Sequence, residues 1–185
     1  MKNELNPEYW VKTYSDALIR FAVKRTGDFD LSKDLVQDTF LSALTGLDNF
    51  KGEISEKNWL YLILKRKIID HFRKNYSGKF QSIDDDESFF DENGMWKSNL
   101  MPEPWTAEHN EKFENDELLG IIDKCVNKLK DLQKAAFILK YMDEEDSDKI
   151  CNELNISNNN FWVLLHRARL NVRKCVDTFL KIRTK

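Results

Sequence analysis

The residues best suited to chemistry lie between Ser157 and Val176, where cationic and aromatic side chains recur at helical spacing. Ser157 predicts the start of a helix, because its hydroxyl oxygen can accept a hydrogen bond from the first turn. One side of that helix is apolar and suited to a core: Phe161, Leu164, Leu165, Ala168, Val172, Cys175 and Val176. The opposite side is more basic and aromatic than an ordinary solvated face: Trp162, Val163, His166, Arg167, Arg169, Leu170, Arg173 and Lys174.

A shorter helix is predicted just before this one, capped by Asp146 or Ser147. Its inner face would hold Ile150, Cys151 and Leu154. Asn155 follows, and asparagine tolerates the left-handed backbone that a tight turn needs. A short helix, a tight turn and a longer basic helix indicate a helix-turn-helix, whose second helix enters the major groove of DNA. An ordinary helical hairpin with a basic exposed face is the alternative that this stretch leaves open.

Charge is distributed unevenly along the 185 residues, although the net charge is only −3. Residues 51–79 hold eight Lys or Arg against three acids, and residues 162–185 hold seven against one. Residues 80–117 hold two Lys against twelve acids. The slightly negative net charge excludes a uniform electrostatic attraction of the whole protein to nucleic acid. The two basic blocks instead indicate two separate nucleic-acid contacts joined by an acidic spacer.

The sequence contains no P-loop, no nucleophile motif and no metal-ligand cluster, so we expect a binding protein without catalytic residues, metal or cofactor. Cys125, Cys151 and Cys175 are far apart, as are the three histidines, whereas a zinc site needs ligands in close pairs. We therefore expect buried free thiols in a reducing cytosol. No signal peptide opens the chain and no apolar run approaches ~18 residues, which favours a cytoplasmic protein without membrane insertion.

Two helices are predicted to precede the first basic block. The first covers residues 8–26 and ends at Gly27, a natural residue after a helix. The second begins with Asp30 or Ser32 as its cap and runs to about residue 47. Its apolar stripe is Leu31, Leu35, Val36, Phe40, Ala43 and Leu44, and a separate face holds Asp34, Gln37, Asp38 and Leu41.

A third helix is predicted over residues 58–74, after a polar loop that contains Phe50 and Lys51. Its core-facing residues are Trp59, Leu60, Ile63, Leu64, Ile68 and Phe72. Its other residues make the second half cationic: Lys65, Arg66, Lys67, His71, Arg73 and Lys74. A few basic residues in a last turn stabilise the helix dipole, but six exceed what that requires.

Helical periodicity fails between residues 76 and 113, which are acidic and contain Pro102 and Pro104. Helices are predicted again from residue 114 to about 129 and from Asp131 to Tyr141. No strand pattern occurs, so the predicted fold class is all-α. We expect two small helical domains, residues 1–76 and 114–185, joined by a flexible acidic linker over 77–113.

The first half contains four motifs: Asp34-Leu-Val-Gln-Asp-Thr-Phe-Leu-Ser-Ala-Leu, Phe50-Lys-Gly, Trp59-Leu and Ile69-Asp-His-Phe-Arg-Lys. Together they resemble region 2 of the sigma-70 family of RNA polymerase sigma factors. Two later motifs, Ile150-Cys-Asn-Glu-Leu-Asn-Ile-Ser and Leu165-His-Arg-Ala-Arg-Leu-Asn-Val-Arg, resemble region 4. The size is similar to that of the extracytoplasmic-function (ECF) group. The resemblance covers both domains in the family's order and leaves out only the linker and the ends.

The resemblance implies partners and site residues. Core RNA polymerase, through its β and β′ subunits, and promoter DNA are the implied partners, and an anti-sigma factor is a further candidate. The implied polymerase-binding residues are Asp34, Gln37, Asp38 and Leu41. Those for the −10 element are Phe50, Lys51, Trp59, Lys65, Arg66, His71, Arg73 and Lys74. Those for the −35 element are Asn158, Asn160, Trp162, Val163, His166, Arg167, Arg169 and Arg173.

The function expected from the sequence is recruitment of core polymerase to promoters, followed by melting of the −10 region and initiation of transcription. Two alternatives remain open from the residues alone. One is a stand-alone helix-turn-helix regulator that binds duplex DNA, and the other is an RNA-binding module. Individual residues also have structural alternatives: Trp59 could be core, and the Asp34 face could be ordinary solvated surface.

Overall fold

The computed structural model describes residues 5–75 and 115–183, and the predicted linker lies outside these ranges. A short 3-10 helix, Pro7–Tyr9, leads into α1 (Trp10–Thr26), α2 (Phe29–Thr45), a 3-10 turn at Leu47–Asn49, and α3 (Glu56–Asn75). The later set consists of α4 (Asn115–Val126), α5 (Asp131–Tyr141), α6 (Ser147–Leu154) and α7 (Asn158–Arg183). The all-α prediction is confirmed, since neither described range contains a strand.

The junction between α1 and α2 is tighter than the sequence indicated. Gly27 follows α1 with a left-handed backbone (φ 74°), and its N–H bonds to the Val23 carbonyl oxygen at 2.8 Å, as predicted for this glycine. Asp28 is then the cap of α2 and accepts a hydrogen bond from the Leu31 amide at 3.0 Å. The prediction of Asp30 or Ser32 as this cap was wrong. Ser32 is instead fully buried, with its hydroxyl 2.8 Å from that of Thr26.

The helix-turn-helix predicted in the second half is present over α6 and α7. The Asp146 side chain accepts from the Asp148 amide at 2.9 Å, which makes Asp146 the cap of α6. Asn155 adopts the predicted left-handed conformation (φ 54°). The Ser157 hydroxyl then accepts from the Asn160 amide at 3.3 Å, and α7 begins. Leu170 corrects the prediction for the outer face of α7, because it is buried.

Helix α3 is the element that both sets of helices share. Leu60, Leu64 and Phe72 pack with residues of α1 and α2, and the same apolar cluster continues into the second set. The contributors from the second set are Leu132, Ala135, Ala136, Leu139, Ile150, Leu154, Phe161, Leu164 and Leu165. The two sets therefore bury apolar surface against each other in this structure.

A second apolar cluster lies within the later helices and contains a disulfide. Cys125 of α4 and Cys175 of α7 are joined, with their Cα atoms 5.7 Å apart. The expectation of free thiols was wrong for this pair and holds for Cys151, which is free. Fifty residues separate the two cysteines. Only the packing of α4 on α7 brings them within the distance that a disulfide requires.

The described ranges lack two kinds of feature. No helix among them combines the length and apolar character needed to cross a membrane. The same ranges hold no group of three or more His, Cys, Asp or Glu placed to bind a metal ion.

Reduction of the Cys125–Cys175 disulfide should lower the stability of the second set of helices. For a closed loop of 50 residues, the loss of loop-closure constraint in the unfolded chain corresponds to about 4 kcal/mol. We expect a lower thermal midpoint in reductant, and the same lowered midpoint in Cys125→Ser without reductant. Cys151→Ser is the control and should keep the reductant sensitivity. A midpoint that is insensitive to reductant would contradict the cross-link.

Candidate nucleic-acid interface

The outer face of α7 combines exposed apolar and basic residues. Trp162 is 49% exposed and Val163 is 41% exposed, so two adjacent large apolar side chains meet solvent. The Trp162 ring packs edge-on against the buried Phe161, with ring centroids 5.1 Å apart, so its position is set by the core beneath it. Arg169 is exposed, while His166, Arg167 and Arg173 are half-buried. At the start of the helix, Asn158 is exposed and Asn160 half-buried.

The cationic half of α3 is only partly open to solvent. Arg66, Arg73 and Lys74 are exposed, and His71 is half-buried. Arg73 forms an exposed ion pair with Asp70, one turn earlier, at 2.6 Å, a type of pair that contributes little to stability. The exposed guanidinium and ammonium groups give α3 a surface able to follow a phosphate backbone.

Phe50 and Trp59 form an aromatic pair at the start of α3. Their ring centroids are 5.0 Å apart and the rings are tilted by 51°. Trp59 also meets the buried Trp10 edge-on at 6.1 Å, and Trp10 stacks on Phe40 at 6.5 Å. Both Phe50 and Trp59 are half-buried, so each keeps a surface open to solvent, and Trp59 also packs against the core. Lys51, beside Phe50, is exposed.

Glu56 anchors this aromatic pair to α1. One of its carboxylate oxygens accepts hydrogen bonds from the indole N–H of Trp10 and, at 2.9 Å, from the Asn6 amide. The other lies 3.4 Å from the Tyr14 hydroxyl, which donates to it. Burial first, and then the neighbouring Glu56 charge, raise the pKa of Tyr14, so that the phenol stays a donor. Glu56 was not among the residues predicted to be functional; it is the first residue of α3 and stands three residues before Trp59.

The face of α2 predicted to be functional is exposed along its length. Asp34, Gln37, Asp38 and Leu41 all lie on it, and Leu41 is 62% exposed. Leu44 was predicted to be core, and that was wrong: it is 46% exposed and continues the same face at a spacing of three residues from Leu41. Polar groups followed by two uncovered leucines are typical of a surface that another protein covers.

Lys65 has partners that sequence reasoning did not find. Its ammonium nitrogen lies 2.5 Å from a Glu145 carboxylate oxygen and 3.1 Å from an oxygen of Asp143. The second oxygen of Asp143 pairs with Arg25 of α1 at 2.5 Å. Lys149 and then Lys65 lower the pKa of Glu145 by hydrogen bonding, so its carboxylate is charged at neutral pH. The visible signal in the sequence was the acidic run Asp143-Glu-Glu-Asp that follows α5.

Two protein families match this chain, each over one set of helices. Sigma-70 region 2 matches residues 10–77, which include α1, α2 and α3. Sigma-70 region 4 matches residues 119–172, which include the helix-turn-helix. The two matches together span more than half of the chain and occur in the order predicted from the motifs.

Curated relatives cover nearly the whole chain. A probable RNA polymerase sigma factor of Haemophilus influenzae is 37% identical over 164 residues, covering 86% of this chain and 84% of that protein. The RNA polymerase sigma factor YlaC of Bacillus subtilis is 30% identical and covers 94% of each. The ECF RNA polymerase sigma factor SigX of the same organism is 24% identical, covering 89% of this chain and 80% of that protein.

Loss of the Glu56 carboxylate should destabilise the first set of helices. Glu56→Ala leaves the buried Trp10 indole N–H without its acceptor, a loss of about 1–3 kcal/mol in the free energy of unfolding. Glu53→Ala is the matched control, since Glu53 is an exposed acid three residues earlier, in the loop before α3. Urea unfolding of both variants measures the difference. Equal midpoints for the two would contradict the anchoring role of Glu56.

Proposed function

This chain belongs to the ECF group of the sigma-70 family, and on that premise we propose how its surfaces divide the work of a sigma factor. It is an RNA polymerase sigma factor that directs transcription initiation, with core RNA polymerase and promoter DNA as its partners. The observation that carries this conclusion is the match to region 2 followed along the chain by the match to region 4. Relatives that cover most of the chain support it. A stand-alone regulator is not favoured, because it would not need the region 2 helices.

Its relatives are sigma factors, which act by binding, and we infer that this chain acts in the same way and in the cytoplasm beside the polymerase. Opening a DNA duplex costs roughly 1.4 kcal/mol per base-pair step in lost stacking. A protein that does not hydrolyse a nucleotide offsets that cost only by binding the single strand better than the duplex. The residues of this chain must therefore supply single-strand affinity.

The α2 face is assigned to core polymerase. Asp34, Gln37 and Asp38 offer acceptors and a charge pattern for a basic partner surface, and Leu41 with Leu44 offers apolar area. Exposed leucines lower the stability of the free protein little, and their burial by a partner contributes favourable binding free energy. The exposure of both leucines supports this assignment.

The start and the cationic half of α3 are assigned to the melted −10 strand. The Phe50–Trp59 pair would receive an unstacked base, and base–aromatic stacking contributes about 1–3 kcal/mol. Exposed cations further along would follow the phosphates: Lys65 after release of its carboxylate partners, and Arg66, Arg73 and Lys74. Lys51, in the loop before α3, and His71, on α3, are assigned to the same strand.

The outer face of α7 is assigned to the −35 element as duplex. In a helix-turn-helix the N-terminal part of the second helix contacts base edges, which fits Asn158, Asn160, Trp162 and Val163. His166 and Arg167 lie one turn further along. Arg169 and Arg173 are better placed for phosphates, which position the protein without specifying sequence.

Replacing Leu41 and Leu44 together with Ala should weaken binding to core polymerase without lowering stability. Both side chains are exposed, so the free protein loses little stability. The complex loses the apolar burial of two leucine side chains, which is about 2 kcal/mol or more of binding free energy. The expected result is at least a tenfold rise in the dissociation constant, measured by fluorescence titration. Val11→Ala, an equally exposed residue of α1, is the control. Wild-type affinity in the double variant would overturn the α2 assignment.

Phe50→Ala and the double variant Lys65→Ala with Arg66→Ala should assemble with polymerase yet open promoters poorly. The physical reason is loss of stacking in the first and of phosphate contacts in the second. Permanganate footprinting reports the unpaired thymines. A template with a pre-melted −10 bubble should restore much of the activity, because its strands are already separated.

Lys12→Ala is the control for these variants, since Lys12 is an exposed cation of α1 that belongs to none of the surfaces assigned to DNA or polymerase. It should open linear promoters as the parent does. Normal opening of a linear promoter by both test variants would remove residues 50–74 from the melting step.

A further inference from the structure

We propose that Trp162 and Val163 bind the C5-methyl groups of thymines and thereby set which upstream duplex the holoenzyme prefers. The inference rests on the proposed assignment of the outer face of α7 to the −35 element. It adds the chemical group on the DNA that the first turns of this helix recognise. Three observations carry it: the distribution of charge along α7, the exposure of the two side chains, and the packing that holds Trp162 in place.

The first two turns of α7 contain no charged side chain. Residues 158–165 are Asn-Asn-Asn-Phe-Trp-Val-Leu-Leu, and the first Lys or Arg of the helix is Arg167. In a helix-turn-helix these turns approach the base edges. Without a cation, their side chains form no ion pair with phosphates and cannot bind guanine in the bidentate way of Arg or Lys. The turns nearest the bases therefore offer amide and apolar contacts.

Apolar area faces outward on the second of these turns. Trp162 is 49% exposed and Val163 is 41% exposed, whereas their neighbours Phe161 and Leu164 are buried. The two side chains therefore form one apolar patch on the side of α7 that faces away from the core. In the major groove, the apolar group that a base edge presents is the C5-methyl of thymine. The patch and the methyl group are thus matched in chemistry.

The core fixes the position of Trp162 before any DNA is bound. Its ring packs edge-on against Phe161, with the centroids 5.1 Å apart and the ring planes at 61°. Phe161 is fully buried in the main apolar cluster. Val163 is β-branched, which restricts its side chain to few rotamers on a helix. Because both residues lose little freedom on binding, more of each contact remains available to distinguish a methyl group from a hydrogen atom.

The cations of α7 lie beyond this patch. Arg169 is exposed and Arg173 is half-buried, and both are assigned to phosphates. A phosphate contact adds affinity for every sequence alike, whereas a methyl contact adds affinity only where thymine is present. The neutral first part of α7 and its cationic second part therefore separate sequence preference from general affinity.

The first test removes single methyl groups from the DNA and leaves the protein unchanged. Holoenzyme reconstituted from the full chain and core polymerase selects from duplexes randomised over the upstream element. In the tightest-binding duplex, each thymine is then replaced by deoxyuridine, which lacks only the C5-methyl. One or two replacements should weaken binding about fourfold each, the scale of one buried methyl group. A duplex that tolerates every replacement would overturn the proposal.

Variants of the chain then connect the methyl groups to the two residues. In Trp162→Ala and in Val163→Ala, one sensitive thymine should become nearly indifferent to uridine, which is the coupling that a double-mutant cycle measures. Trp162→Phe should keep the sensitivity, because it removes the indole N–H and retains an apolar ring. Leu119→Ala, at an exposed apolar residue of α4, is the control and should behave as the parent does. Uridine effects of parental size in both alanine variants would contradict the assignment.

Methylated cytosine tests the same group in a different base pair. A G·C pair is placed at a sensitive position with either cytosine or 5-methylcytosine, so that the two duplexes differ only by the methyl group. The parent should bind the methylated duplex about fourfold more tightly. Equal affinities would attribute the uridine effect to a change in DNA shape and would overturn the proposal.

The selection also separates this proposal from the assignment on which it rests. If the parent holoenzyme returned no preferred upstream sequence, the −35 assignment of α7 would fail, and the methyl contacts with it. A clear upstream preference that tolerates uridine at every position would overturn the methyl contacts alone and leave the −35 assignment in place.

Discussion

The structure depends on the burial of α3 from two sides. Leu60, Leu64 and Ile68 are almost completely buried, and Ile69 and Phe72 extend the apolar surface around the helix. A single layer of neighbours cannot cover such a helix, because apolar residues occupy more than one face. Helices α1 and α2 cover one part, and α5 and α6 cover another. The hydrophobic effect therefore brings the region 2 helices and the helix-turn-helix into one body.

Helix α3 also carries the cations proposed to bind DNA. Burying a cation is unfavourable unless it has a partner of opposite charge, and acidic residues near α5 and α6 supply that partner. Packing α5 and α6 on α3 places Lys65 in a partly buried position, where an unpaired ammonium would be costly. Asp143 and Glu145 satisfy it, and Arg25 completes the network. The exposed cations Arg66 and Lys74 need no such partner. Two carboxylates thus offset the desolvation of Lys65 in this structure.

Aromatic packing gives the proposed base-binding surface its rigidity. Phe50 is in a loop, but it contacts Trp59, and Trp59 contacts Trp10, whose indole is held by Glu56. A platform for an unstacked base has to be in place before the base arrives, because ordering it at that moment would reduce the gain from stacking. The Glu56 hydrogen bonds connect that surface to the core of the first set.

The sequence by itself determined the helices, the caps around Asn155 and Ser157, the family and the partners, because these depend on local spacing and on motifs. It also located the exposed α2 face, except that Leu44 lies at the edge between two helical faces and only the real packing assigned it to solvent. The tertiary structure alone decided the Cys125–Cys175 pair, the burial of Leu170 and the ion pairs of Lys65. These connect residues 50 to 80 positions apart or depend on a neighbouring helix. The physical reason is that periodicity reports which side of a helix is apolar, whereas the identity of the element covering that side depends on how all the helices pack together.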